Sequence, residues 1–245
     1  MPRRPPPEWG PPSTLSLDPA RIVWTISVLH SRIEERFPGS GLGRLCASLH
    51  DIGEKTKERL DLIERPVWWL RAFTWLMAAL VLAGAVAAVR AVWIQLPEGF
   101  GNAFDAIQIL EAGIQDVIFI GLLLVFLVTA ENRLRRSRAL GHIRELRAIA
   151  HIVDMHQLTK DPDRMLHRLS DTESSPTRSL TRDQLGRYLD YCSELLSLTS
   201  KLAALYAERF NDEVILQAVD EVEALTSGLS AKIWQKIMVL DAATD

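Results

Sequence analysis

His151 and Asp154 stand three positions apart in the densest polar stretch of the chain, Arg144-Glu145-Leu146-Arg147-Ala148-Ile149-Ala150-His151-Ile152-Val153-Asp154-Met155-His156. On a helix, residues three apart share a face, so the pair has the spacing of two metal ligands or of an imidazole held by a carboxylate. His156 follows His151 by five positions, about 140° around a helix of 3.6 residues per turn, and does not complete that face. No Cys/His spacing of a zinc site accompanies them, and the two cysteines, Cys46 and Cys192, are not paired in sequence. Glu145, Arg147, His151, Asp154 and His156 are therefore a candidate polar cluster with a structural role. The expectation is a helix buried on most sides in a bundle, its charges satisfying one another and neighbouring helix ends. No metal and no cofactor is expected.

Arg90, Glu111 and Asp116 form a second candidate cluster, because they lie in or beside long apolar runs, where a charge is expensive and functional by default. Along their helices, Arg90 lies about 28 Å beyond Arg71, while Asp116 and Glu111 lie about 23 and 30 Å from Glu131. In an antiparallel hairpin the arginine falls between the levels of the two acids. The expected role is an interfacial ion pair that fixes the hairpin. The alternative is a ring of carboxylates at the mouth of an oligomeric cation pore, whose field the arginine would largely cancel.

Other chemistry is missing. Gly39-Ser40-Gly41-Leu42-Gly43 has the glycines of a phosphate loop and Arg44 beside it. Yet the element before it reads as a helix, the Gly-x-Gly-x-x-Gly spacing is not met, and no Lys-Ser/Thr follows. Protein kinase, Walker, nucleophile-elbow and zincin signatures are absent as well, so an enzyme is not expected.

The elements that position these residues follow from composition. Of 245 residues, 48% are apolar and 24% charged, with 28 Lys and Arg against 31 Asp and Glu and a net charge of -3. Those proportions exclude a disordered or collagen-like chain and give no reason to expect nucleic acid. The apolar residues concentrate between Ala72 and Ala130. Ala72 to Val89 carries no charge over 18 residues, about 27 Å of helix against a hydrocarbon layer of about 30 Å. Val117 to Ala130 has only 14 uncharged residues and reaches spanning length by extending back past Asp116 and Glu111. Trp68, Trp69, Trp75 and Trp93 crowd the ends of the first run like an aromatic belt.

Cations flank the pair of runs asymmetrically. Lys55, Lys57, Arg59, Arg65 and Arg71 precede the first, and Arg133, Arg135, Arg136, Arg138, Arg144 and Arg147 follow the second. Residues 91–116 contain no Lys or Arg. The positive-inside rule then puts both termini in the cytoplasm of a bacterial inner (plasma) membrane, with uncleaved spans, since Pro5-Pro6-Pro7 replaces a signal-peptide core. Both cysteines fall on the cytoplasmic side and are expected as reduced, buried thiols.

The remaining segments read as helices. A Pro-rich flexible tail (1–17) precedes an N-terminal cytoplasmic helical hairpin (18–65), in which Asp18-Pro19 opens a helix with Ile22, Ile26, Leu29, Ile33 and Phe37 on one face. Its second helix places Leu42, Leu45, Leu49, Ile52 and Leu60 on one side. Membrane helices follow at 67–94 and 107–130, joined by a short non-cytoplasmic loop (95–106). A cytoplasmic extension (131–160) continues the second helix as a rod, and a short helix and loop occupy 161–180. A C-terminal hairpin (181–245) opens with the capping box of Thr181 and Gln184 and turns at Asn211, taken as the cap of its last helix. Leu185, Tyr188, Cys192, Leu195, Leu202 and Leu205 line one side of its first helix. Ile215, Val219, Val222, Leu225, Leu229 and Ile233 line one side of the second.

The fold class is thus an all-α membrane protein: a two-span antiparallel transmembrane helical hairpin with a cytoplasmic helical bundle. The expected function is a membrane-anchored helical scaffold or signalling protein that recruits or assembles cytoplasmic partners, with a homo-oligomeric cation channel as the alternative. Expected partners are the lipid bilayer, an unidentified cytoplasmic protein and a second copy of the chain. Self-association follows from the small-residue stripe Ala79, Ala83, Ala87 and from coiled-coil-like apolar stripes.

Overall fold

The computed structural model describes residues 16–64, 68–95, 103–160, 162, 173 and 180–242. Most of these are helical, and there is no strand among them. The helices are α1 (Pro19–Arg36), α2 (Gly41–Glu64), α3 (Trp68–Gln95), α4 (Ala103–Leu158), α5 (Arg182–Arg209) and α6 (Glu213–Ala242). Most of the Pro-rich tail, most of 95–106 and nearly all of 161–180 lie outside the described residues. The chain divides into two compact units, one built from the residues up to Leu62 and from Arg138 onward, the other from Ile63–Ser137.

The first unit is a bundle of α1, α2, the C-terminal part of α4, α5 and α6. Local chemistry sets its helix ends. The Asp18 carboxylate accepts from the Ala20 N–H at 2.9 Å, with Pro19 in the first turn of α1. Gly39 turns the chain at φ 67°, a conformation that costs a residue with a Cβ but not glycine. Thr181 and Gln184 form the expected reciprocal capping box. The cap of α6 is shifted by one from expectation. Asp212, not Asn211, accepts from the N–H groups of Val214 and Ile215 at 3.1 and 3.3 Å.

α5 is the centre of this unit. Phe37 of α1 packs edge-on against Tyr188 and Tyr191, with ring centroids 5.5 and 6.2 Å apart. From α2, Gly53 lets Leu202 approach to 3.7 Å of where a Cβ would lie, and Asp61 meets Arg209 at 3.8 Å. From α4, the His142 ring lies 6.3 Å from that of Tyr206. α6 runs back along α5, and Arg182 donates to the Asp241 carbonyl at 3.5 Å. The buried set on α5 includes Leu189, Tyr191, Leu196, Leu198, Thr199, Ala203 and Tyr206 in addition to the expected stripe. A helix read as one-sided is thus buried around most of its circumference.

The α4 stretch expected to be buried on most sides is instead two-faced. Ala139, Ile143, Leu146, Ile149, Ala150, Val153 and Gln157 are buried, while Arg144, Glu145, Arg147, Ala148, His151, Ile152 and Met155 are exposed. The other apolar faces hold with two exceptions. Ile52 and Leu225 are only half-buried, and Thr226 takes the core position beside Leu225.

The second unit contains α3 and the first part of α4. One helical stretch among the described residues, Gly113–Leu158, is long and apolar enough to cross a membrane, and only 6% of its most apolar window is buried. Ala72–Gly84 in α3 is a shorter apolar stretch. Trp75, Val117 and Phe126 are 76%, 70% and 67% exposed.

Because α5 fills the centre of the bundle, truncating its core should cost the most. Leu195→Ala is expected to destabilise the protein by about 2–5 kcal/mol, whereas Met238→Ala on the exposed face of α6 should change it by under about 0.5 kcal/mol. Denaturant unfolding of the full chain in mild detergent, followed by circular dichroism, checks both. Equal effects of the two variants would contradict the central position of α5.

Candidate functional site

The structure distributes the expected polar cluster along α4 instead of gathering it. Glu145 accepts from Arg59 of α2 at 2.7 Å. Arg147 donates to Glu221 of α6 at 2.8 Å. Asp154 accepts from Gln157 at 2.7 Å, and Gln157 in turn takes two bonds from Lys236 of α6, 2.6 Å to its side-chain oxygen and 2.8 Å to its carbonyl. His151 is exposed, and His156 is half-buried against the α-carbon of Gly41 in the first turn of α2. Burial, then the positive charges of Lys160 and Arg44, hold the His156 pKa below its ordinary value. The charges thus pair with neighbouring helices and not chiefly with one another. Among the described residues no group of three His, Cys, Asp or Glu could hold a metal ion.

The glycine turn is filled from within the chain. The Glu34 carboxylate accepts from the Gly39 N–H at 3.1 Å and reaches over Gly43, where a Cβ would collide with it. Ser40 caps α2 by accepting from the Gly43 N–H at 3.0 Å. Arg44 donates to the Gly39 carbonyl at 2.8 Å. An anion of the chain's own therefore already lies at the start of α2.

Arg90 and Glu111 are exposed, and no ion pair joins them among the described residues. The Asp116 side chain lies outside the description.

Two polar assemblies escaped the sequence reading. An open groove of about 560 Å³ between α1 and α5 is lined by Arg32, Glu35, Arg36, Arg187 and Tyr191. Its cations are largely engaged. Arg32 binds both Glu194 oxygens, at 2.7 and 3.1 Å, and lies over the Tyr191 ring, while Arg187 pairs with Asp190 at 3.3 Å. The bond to Glu194 raises the Arg32 pKa further, and burial raises that of Asp190 against the pull of Arg187.

The second assembly joins α2, α4 and α5. Thr56 and Tyr206 are both 0% exposed in an otherwise apolar interior. Thr56 is satisfied by the Ile52 carbonyl at 2.7 Å, and the Tyr206 hydroxyl is buried facing Thr56 and Arg59. Burial pushes the Tyr206 phenol up to about 12. His142 Nδ1 is buried 3.6 Å from a Glu145 oxygen. Burial and the neighbouring Arg59 lower the His142 pKa, and Glu145 opposes them. A signal for Thr56 did exist, since it occupies the vacant core position between Ile52 and Leu60.

No protein-family model, curated protein or solved structure matches this chain. Among the described residues the chain is helical without strands, and charged side chains at the margins of the helix interfaces pair one helix with the next.

Cys46 and Cys192 are free and buried, and burial pushes both thiols up to about 12. Since the thiolate is the reacting species, neither cysteine should be alkylated by maleimide in the folded protein at neutral pH. An introduced cysteine at exposed Lys57 should react to completion in the same time, and both native thiols should react in denaturant. Mass spectrometry of the labelled chain reads the result, and native thiols reacting as fast as the introduced one would contradict the packing.

Proposed function

We propose that the chain is a membrane-anchored helical scaffold that assembles or recruits water-side protein partners, with α3 and the first part of α4 forming a two-span hairpin. The observation that carries this reading is the contrast in apolar exposure between the two units. The bundle encloses its own core, whereas helices of the second unit leave tryptophan, phenylalanine, leucine and valine side chains uncovered along their length. At about 25 cal/mol per Å² such surface is expensive in water, and water-soluble monomers rarely carry so much of it contiguously. A bilayer removes the cost, and helices are the form in which backbone groups satisfy one another there.

The cation asymmetry supports an orientation with both termini on the cytoplasmic side. Exposed Ala79, Ala83 and Ala87 support close approach of another helix, from this chain or from a second copy. Ile152, Met155 and Leu158 on α4, with Trp234 and Met238 on α6, are large apolar side chains that the bundle leaves exposed and offers to partners. A pore asks for a polar stripe through a span, and Val117 to Ala130 has none, which favours the scaffold over the channel.

Two measurements test the proposal. Single cysteines at Ser13 and Thr244, in a background without Cys46 and Cys192, should resist an impermeant thiol reagent in intact cells, while one at Asn102 is labelled. Purified protein in liposomes should pass no more cation than empty vesicles at either polarity. Labelling at a terminus overturns the orientation. Flux abolished by Glu111→Gln with Asp116→Asn overturns the scaffold in favour of the channel.

A further inference from the structure

We infer that the groove between α1 and α5 binds a small soluble phosphate, a phosphate ester or polyphosphate, through Arg32, Arg36 and Arg187. The groove lies wholly within the bundle, so the inference does not rest on the membrane reading.

Each helix presents two side chains one turn apart, Arg32 and Arg36 from α1, Arg187 and Tyr191 from α5. With Glu35 they line an open volume of about 560 Å³, within the roughly 300 to 1,000 Å³ of small-ligand pockets. The lining thus sets three guanidinium groups against one carboxylate. Glu194 and Asp190, the partners of Arg32 and Arg187, are not among the lining residues. Their charges weaken the field of the groove, and in exchange they hold two of its arginines in place.

Arg32 is the fixed element. Glu194 grips it with both oxygens, at 2.7 and 3.1 Å, and its guanidinium carbon lies 5.1 Å from the centroid of the Tyr191 ring. Tyr191 is only 3% exposed, so the platform beneath Arg32 belongs to the core. A guanidinium has five N–H donors, and the two given to Glu194 leave three. Arg187 is held more loosely, by a single 3.3 Å contact to Asp190 on its own helix. Among the described residues no ion pair or hydrogen bond engages the Arg36 side chain, which is exposed.

This arrangement suits phosphate better than a carboxylate. A carboxylate has two oxygens and one charge, and a single guanidinium fork satisfies it. A phosphate monoester brings three acceptor oxygens and close to two charges, enough for arginines that approach from two helices. The planar fork of arginine matches such oxygens pairwise, which the point charge of a lysine does not.

Protection from the arginine reagent phenylglyoxal, read by mass spectrometry on the full chain in phosphatidylcholine nanodiscs, tests the site in the unaltered protein. Pyrophosphate should protect Arg36 and Arg187, with half-protection on the order of 1 mM or below at low salt, and leave exposed Arg144 of α4 reactive. Sodium chloride at equal ionic strength should protect none of them. Glu35, Arg36 and Arg187 are exposed, so replacing them leaves the core intact. Arg36→Gln, read at Arg187, and Arg187→Gln, read at Arg36, should each raise the half-protecting concentration about tenfold, the usual size of one lost charged hydrogen bond. Lys57→Gln removes the same charge from α2, outside the groove lining, and should shift it less than about twofold. Glu35→Gln should lower it, because the one carboxylate of the lining repels the anion. Absence of protection, equal protection of Arg144, an equal shift in Lys57→Gln or weaker binding in Glu35→Gln overturns the site. Protection that appears only when phosphatidic acid is added to the nanodiscs, and not with pyrophosphate, overturns the soluble ligand in favour of a lipid headgroup.

Discussion

Apolar surface has to leave water, and α4 is the helix in which two ways of doing so meet. Over its last part, Ile143, Leu146, Ala150 and Val153 turn inward and are covered by the other helices of the bundle. Over its first part, Val117, Ile118, Phe119 and Leu122 are uncovered on the same continuous backbone. No run of helix propensity distinguishes the two parts. The difference lies in what surrounds them, and a hydrocarbon phase is the surrounding that the proposed reading supplies for the first.

Inside the bundle the packing requirement falls most heavily on α5. Being covered from several directions, it carries apolar or small side chains almost all the way round, and its few buried polar groups must find partners locally. Thr199 does so by donating to the Leu195 carbonyl at 2.8 Å. The longer polar side chains solve the same problem between helices. Arg32 with Glu194 ties α1 to α5, Arg147 with Glu221 and Lys236 with Gln157 tie α4 to α6, and Arg59 with Glu145 ties α2 to α4. Exposed pairs of this kind contribute little stability each. Their effect is to fix which helix lies beside which, a constraint that greasy faces alone leave loose.

Most of the helices were legible because their ends are written in local chemistry. Asp18 with Pro19 and Thr181 with Gln184 act within four residues of sequence, so no knowledge of the fold is needed to read them. The faces of α1 and α6 were legible for a related reason, since a helix covered on one side shows a clean 3.6-residue period. α5 was misread because that period blurs when a helix is covered all round. The polar stretch of α4 was found but misassigned. Spacing shows which residues share a face, yet Glu145, Arg147 and Asp154 are satisfied by groups far away in sequence or by Gln157, and periodicity carries no record of a partner helix. Thr56 and Gln157 left a trace, as polar residues at core positions of otherwise apolar stripes. The buried hydroxyl of Tyr206 left none, because an aromatic ring in a leucine-rich helix reads as plain core.

The central claim is that the apolar surface left open by α3 and α4 is covered by lipid. Alkaline carbonate extraction of membranes from cells expressing the full chain tests it most directly, because carbonate strips proteins held by surface charge and leaves those embedded in hydrocarbon. The account predicts that the protein stays in the membrane pellet and is released only by detergent. Recovery in the carbonate supernatant, as a folded protein soluble without detergent, would contradict it.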